Sequence, residues 1–217
     1  MKITTITPNI IQYTAKNSYE LCSSFIRFQE FYESPFDDIR GKYFTMDTYM
    51  DRYAESKGGE FTYFEDWSGF NIPGHAIVEF VKVFTIAYTP TPLRDKEYAL
   101  LAPLKQFLNT DDSNFYIIGN VEGADSVVDH ELRHAAYYLN PEYKARCDAQ
   151  YALLPEEYKE FLHKGLTKFG YHESAFPDEV QAYLGSSNME ALVWDIFGPS
   201  FLHEQEYLDS FSSIKAV

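Results

Sequence analysis

Apolar positions recur at helical spacing over most of the chain, broken by a few short stretches with the period of a strand. Val128, Leu132, Ala135 and Leu139 stand at i, i+4, i+7 and i+11, the stripe of an amphipathic helix. Ser126 with Asp129 forms a weak capping box at its start, and Asp125 is the alternative cap. Asn140-Pro141 ends it, because proline turns the preceding residue away from the α-region and Asn-Pro suits the start of a new helix. Leu21, Phe25, Phe28 and Tyr32 keep the same period from Ser18 to Ser34-Pro35. Met46, Tyr49, Met50 and Tyr53 mark a second helix, capped by Thr45, running to about Ala54 and ended by Gly58-Gly59. Further helices are expected from Pro73 to Phe84 and from Leu93 to Leu108. Beyond residue 140 the pattern is helix after helix: 141–151, 155–169, Pro177 to about Gly185, 188–197 and 199–211.

Strand signals are fewer. Residues 1–17 carry Ile3, Ile6, Ile10 and Ile11 and read as a short strand or ordered tail. Glu60 to Phe64 alternates like a strand and is followed by a turn at Asp66-Trp67-Ser68-Gly69; Asn114 to Gly119 reads as another strand. The fold class expected is α+β, mostly helical, in one compact domain over residues 1–217. A seam in the polar loop 109–113 allows an N-terminal subdomain, 1–112, and a remainder, 113–217.

Composition narrows the function. The formal net charge of -15 argues against nucleic acid and acidic membranes as partners, because phosphate contacts need clustered Lys and Arg. Eighteen Tyr and eighteen Phe imply extensive aromatic packing. Cys22 and Cys147 are isolated, which suits buried thiols better than a disulfide framework or metal ligation. The first twenty residues lack the apolar core of a signal peptide and no run is long enough to span a membrane, so the expected location is cytoplasmic.

The candidate chemistry lies in Asp129-His130-Glu131-Leu132-Arg133-His134. On a helix, His130 and His134 sit one turn apart on one face, placed to ligate one Zn²⁺, and Glu131 reaches a water on that metal as general base. Arg133 is expected to face solvent or an ion pair. A strand, a loop and then an HExxH helix is the order found in zincin metallopeptidases, and residues 115–185 resemble them. Neither the metzincin continuation nor the inverted H-x-x-E-H order is present. The remaining arrangement resembles the gluzincins, in which a Glu on a downstream helix completes the site.

That resemblance implies Glu179 as third ligand, in the first turn of a helix where the macrodipole favours acids, with Asp178 as a supporting partner of the site or a decoy. His172, Glu173, Glu190 and His203 are rivals. Where thermolysin-like members place an Asp four residues after the ligand Glu, this chain has Tyr183. Tyr183 is the first choice for a donor to the oxyanion, with His172 and His203 as alternatives, and Asp129 is a candidate to orient a ligand ring. The implied activity is zinc-dependent hydrolysis of a peptide or protein substrate, held as an added strand along an edge at 115–119. A non-peptidase zinc hydrolase, or an inactive zincin-like interaction protein, is the alternative.

Overall fold

The computed structural model describes residues 1–85, 93–110, 112–169, 171, 173–186 and 205–216. The helix expected over 188–197 lies outside these residues, as do His172, Glu190, His203 and the side chains of Asp125 and Ser126. The chain divides into two units, Met1–Ala124 and Asp125–Val217.

The first unit is built on a four-stranded sheet. Strands β1 (Lys2–Thr7) and β2 (Ile10–Ala15) form an antiparallel hairpin from the segment expected to be one strand or a tail. Strand β3 (Gly69–Pro73) pairs antiparallel with β4 (Tyr116–Val121), and β4 runs parallel to β2. The order is therefore β1-β2-β4-β3. This corrects the expected edge strand: β4 has neighbours on both sides, so an extended peptide has no open edge there to pair with. Its continuous run of buried residues is the pattern of an interior strand rather than a rim.

Helices α1 (Ser18–Glu33), α2 (Met46–Ser56), α3 (Tyr63–Asp66) and α4 (Gly74–Phe84) complete most of this unit. The first two begin where expected: Thr45, the expected cap, accepts the Thr48 N–H, and Asn17, which the sequence reading did not single out, accepts that of Glu20. Helix α1 packs directly on β4 at Gly119, where an added Cβ would lie 2.7 Å from Phe25.

Two expectations fail ahead of Pro73. The segment Glu60 to Phe64 is not a strand, because Tyr63 is fully buried in a short helix whose amides close on the Thr62 carbonyl. Tyr63 packs edge-on to Tyr49 and Tyr53 and is stacked on Phe70, so its aromatic neighbours satisfy one core instead of two sheet faces. The strand begins at Gly69, inside the expected turn, and ends at Pro73, which is also the N-cap of α4, so the helix expected from Pro73 to Phe84 forms from Gly74.

The expected helix over 93–108 is interrupted. Helix α5 (Asp95–Leu101) gives way to a 3₁₀ turn at Ala102–Leu104 and then to α6 (Lys105–Leu108). Pro103 lacks the N–H that an unbroken helix needs.

Two buried carboxyls in this unit respond to pH in opposite directions. Glu97 is fully buried and receives the Arg27 guanidinium at 2.8 and 2.5 Å, with Arg94 at 2.7 Å. Burial alone favours its protonated form, but the two arginines outweigh that and hold its carboxyl below the ordinary range. Burial pushes Glu30 up, against hydrogen bonds from Tyr63, Tyr49 and Ser34. Glu97 thus contributes stability that is full above the unfolded-chain value near 4.5 and lost as pH falls through its lower folded value. Glu30 contributes stability at low pH that is lost as pH rises from that value through its higher folded one. Urea unfolding across pH is expected to show Glu97→Gln costing about 3–5 kcal/mol at neutral pH, the usual loss on breaking a buried pair. Glu30→Gln is expected to raise stability at neutral pH and to flatten the decline above pH 4.5.

The second unit is helical as far as it is described: α7 (Asp125–Leu139), α8 (Pro141–Leu153), α9 (Glu156–Phe169), a 3₁₀ turn at Glu173–Ala175, α10 (Phe176–Gly185) and α11 (Gln205–Ser212). Asn140 caps α8 by accepting from Glu142 and Tyr143, as its Asn-Pro start implies. One apolar cluster joins Leu154, Tyr158, Leu162 and Leu166 to Phe176, Val180, Leu184 and Phe211. It anchors α10, which packs against α7.

Candidate metal centre

Helix α7 places His130 and His134 one turn apart, and both are buried. Their Nε2 atoms face each other at 3.1 Å. The first turn of α10 brings Glu179 Oε2 to 3.7 Å from His134 Nε2 and 4.0 Å from His130 Nε2. Among the described residues, His130, His134 and Glu179 form the one group of three or more His, Cys, Asp or Glu side chains gathered this closely, within 4.8 Å.

The donor set fits a small cation. A point equidistant from the three facing atoms lies about 2.1 Å from each, the length of a zinc–nitrogen or zinc–carboxylate bond. Asp178 Oδ1 lies 3.0 Å from His134 Nδ1. With a proton on that Nδ1, neutral His134 turns an Nε2 lone pair toward the centre. His130 Nδ1 is buried without a fully formed hydrogen bond, and the Ala182 carbonyl favours a proton on this ring. Two nitrogen lone pairs and a carboxylate then converge in a buried space, an arrangement that a shared cation relieves.

The electrostatics divide the pair. Burial and the neighbouring charges of His134 and Arg133 lower His130 well below the ordinary histidine value. Burial also disfavours a charge on His134, but the carboxylates of Asp178 and Glu179 outweigh it and raise that histidine.

Other expected residues fall into place around this group. Tyr183, one turn after Glu179, sets its ring 4.5 Å from that of His130. Glu131 is buried, and its charge acts on His134 and on both Tyr171 and Tyr183. Glu173, the rival within the described residues, is exposed on the 3₁₀ turn and is not part of the group. Asp178, expected as either a partner of the site or a decoy, is the carboxylate beside the His134 ring. Cys147 is buried with Ala136, Tyr143 and Ile214, apart from the donors. His75 is exposed, edge-on to Tyr32 in the other unit.

Arg133 corrects the expectation of a solvent-facing residue. It is 4% exposed, and its Nη1 donates to the Tyr143 hydroxyl and the Ile214 carbonyl, both at 3.2 Å. Sequence reasoning also passed over Tyr171, whose hydroxyl lies 2.9 Å from that of Tyr183, and Gln181, which donates to Asp178 at 2.8 Å. The Gln181 contact had a signal: it follows Asp178 by three on a helix, so the two share a face. Tyr171 and Arg133 had none, because their partners come from other elements.

No protein-family model, curated protein or solved structure matches the chain. The geometry of the group therefore carries the functional argument by itself. Elemental mass spectrometry of the purified full chain is expected to find about one zinc per chain, with His134→Ala and Glu179→Ala each losing it. Glu179→Ala is expected to weaken zinc retention more than His172→Ala; the reverse order would move the third ligand out of α10.

Proposed function

We propose that the protein is a zinc-dependent hydrolase of the metallopeptidase class, with a gluzincin-like ligand set of His130, His134 and Glu179. The supporting observation is the convergence of both Nε2 atoms and the Glu179 carboxylate on one buried point, with Glu131 on the same helix between the two histidines. When bound, zinc would lower the pKa of a coordinated water and polarise the substrate carbonyl.

The remaining chemistry falls to the chain's own side chains. Glu131 takes the proton of the attacking water and later delivers it to the leaving nitrogen, so that proton ends on the departing amine. Tyr183 is the donor assigned to the developing oxyanion. Burial and the nearby Glu179 carboxylate raise its hydroxyl, which therefore keeps its proton at neutral pH. Asp178 holds His134 in the orientation that presents Nε2. The substrate class is a peptide or protein.

HExxH chemistry specifies metal and water activation rather than the bond cut, so a peptide-library assay separates a peptidase from another amide hydrolase. Glu131→Gln is expected to retain zinc and lower turnover at least about 10²–10⁴-fold, the range of a lost general base. Tyr183→Phe is expected to reduce kcat about 10²–10³-fold, again with zinc retained. Full turnover by Glu131→Gln would remove the base from this mechanism.

A further inference from the structure

The hydrogen bonds around His134 do not stop at Asp178. Asp178 Oδ1 also accepts from Gln181 Nε2 at 2.8 Å, and Gln181 Oε1 accepts the Tyr143 hydroxyl proton at 2.7 Å. That hydroxyl in turn accepts from Arg133 Nη1 at 3.2 Å, and the same nitrogen donates to the Ile214 carbonyl at 3.2 Å. Gln181 is 0% exposed, Tyr143 2% and Arg133 4%, so no member of this inner chain exchanges its partner freely with bulk water. Arg133 is held in place by shape as well: its guanidinium fills the space beside Gly185, where an added Cβ would come within 2.2 Å of Nη1.

The direction of every bond is set by its ends. Arginine only donates, so the Tyr143 oxygen accepts from it and spends its own proton on Gln181. That fixes the Gln181 amide with its oxygen toward Tyr143 and its nitrogen toward Asp178. Asp178, an acceptor when ionised, is left to receive the amide N–H and the His134 Nδ1–H on one oxygen. A single path of polarity thus runs from a buried arginine to the face of His134 opposite the donor cluster.

We propose that Gln181 is a positioning residue for the metal centre: acting through Asp178, it fixes the orientation and tautomer of His134 and ties the site to the Arg133–Tyr143 network. This rests on the metal-site reading above. Asp178 is about one-third exposed at its side chain, so it has water as an alternative partner, and Gln181 is the buried group that holds it in place. Partners of this kind typically change metal affinity 10–100-fold.

The test is a double-mutant cycle in the full chain, with zinc affinity measured by chelator competition and thermal unfolding recorded in parallel. Gln181→Leu is expected to weaken zinc binding 10–100-fold, and Asp178→Ala by a similar factor. Gln181→Leu added to Asp178→Ala should cause little further loss, because the path is already cut. Gln181→Glu keeps the acceptor for Tyr143 but sets a carboxylate against Asp178, so it is expected to show the same loss even where the leucine variant folds poorly. The Co²⁺ absorption bands of the substituted protein should shift in Gln181→Glu, a response that a purely structural role would not produce.

Unchanged zinc affinity in both Gln181 variants overturns the proposal while leaving the ligand set intact. Fully additive losses overturn it too, since Gln181 would then act on the fold rather than through Asp178. Absence of zinc from the parent chain overturns the ligand set, and this proposal with it.

Discussion

Two buried imidazole nitrogens 3.1 Å apart, with a carboxylate oxygen 3.7 and 4.0 Å from them, form the arrangement on which the second unit turns. Lone pairs and negative charge brought together away from water favour a cation or a proton among them. Burial and the charged neighbours of His130 lower it, whereas for His134 the burial is outweighed by Asp178 and Glu179, which raise it. Much else in the second unit serves this point. Helix α10 is anchored by its apolar side, through Val180 and Leu184, while its first turn delivers both Asp178 and Glu179 to the histidines.

The first unit meets a different demand. Its sheet and helices bury a dense set of aromatic rings, among them Phe28, Phe31, Phe80 and Phe84, and place an ion pair beside them. The Arg27 guanidinium lies 4.7 Å from the Phe84 ring centroid while it grips Glu97, so its charge is neutralised and its flat face is packed. The same core leaves Glu30 carrying its charge at a cost, which explains why two acids in one unit are driven in opposite directions.

The spacing of His130, Glu131 and His134 needed no tertiary information, because a helix of ordinary pitch puts i and i+4 on one face. That Glu179 rather than Glu173 approaches the histidines was also legible, from its position in the first turn of a helix with an apolar side. Caps at Thr45 and Asn140 were readable for the same local reason: a short polar side chain answers amides two or three residues away. What failed was the assignment of short apolar runs. Glu60 to Phe64 alternates as a strand does, yet Tyr63 is drawn into an aromatic cluster supplied by α2 and β3. The place of β4 in the sheet was equally hidden, since nothing within six residues says which strands will lie on either side.

Arg133 marks the boundary between the two kinds of knowledge. Within the HELRH stretch it reads as an exposed helix residue, because its neighbours in sequence offer it nothing to bind. Tyr143, Gly185 and Ile214, which come from other parts of the second unit, supply its partners and the space for its guanidinium. The sequence by itself determined the helical register of the two histidines and the acid placed to join them, since both follow from local periodicity and helix-end electrostatics. Only the tertiary structure decided the distances that gather the three side chains into one buried group, and the buried hydrogen-bond path behind His134, because both depend on contacts between elements far apart in the chain.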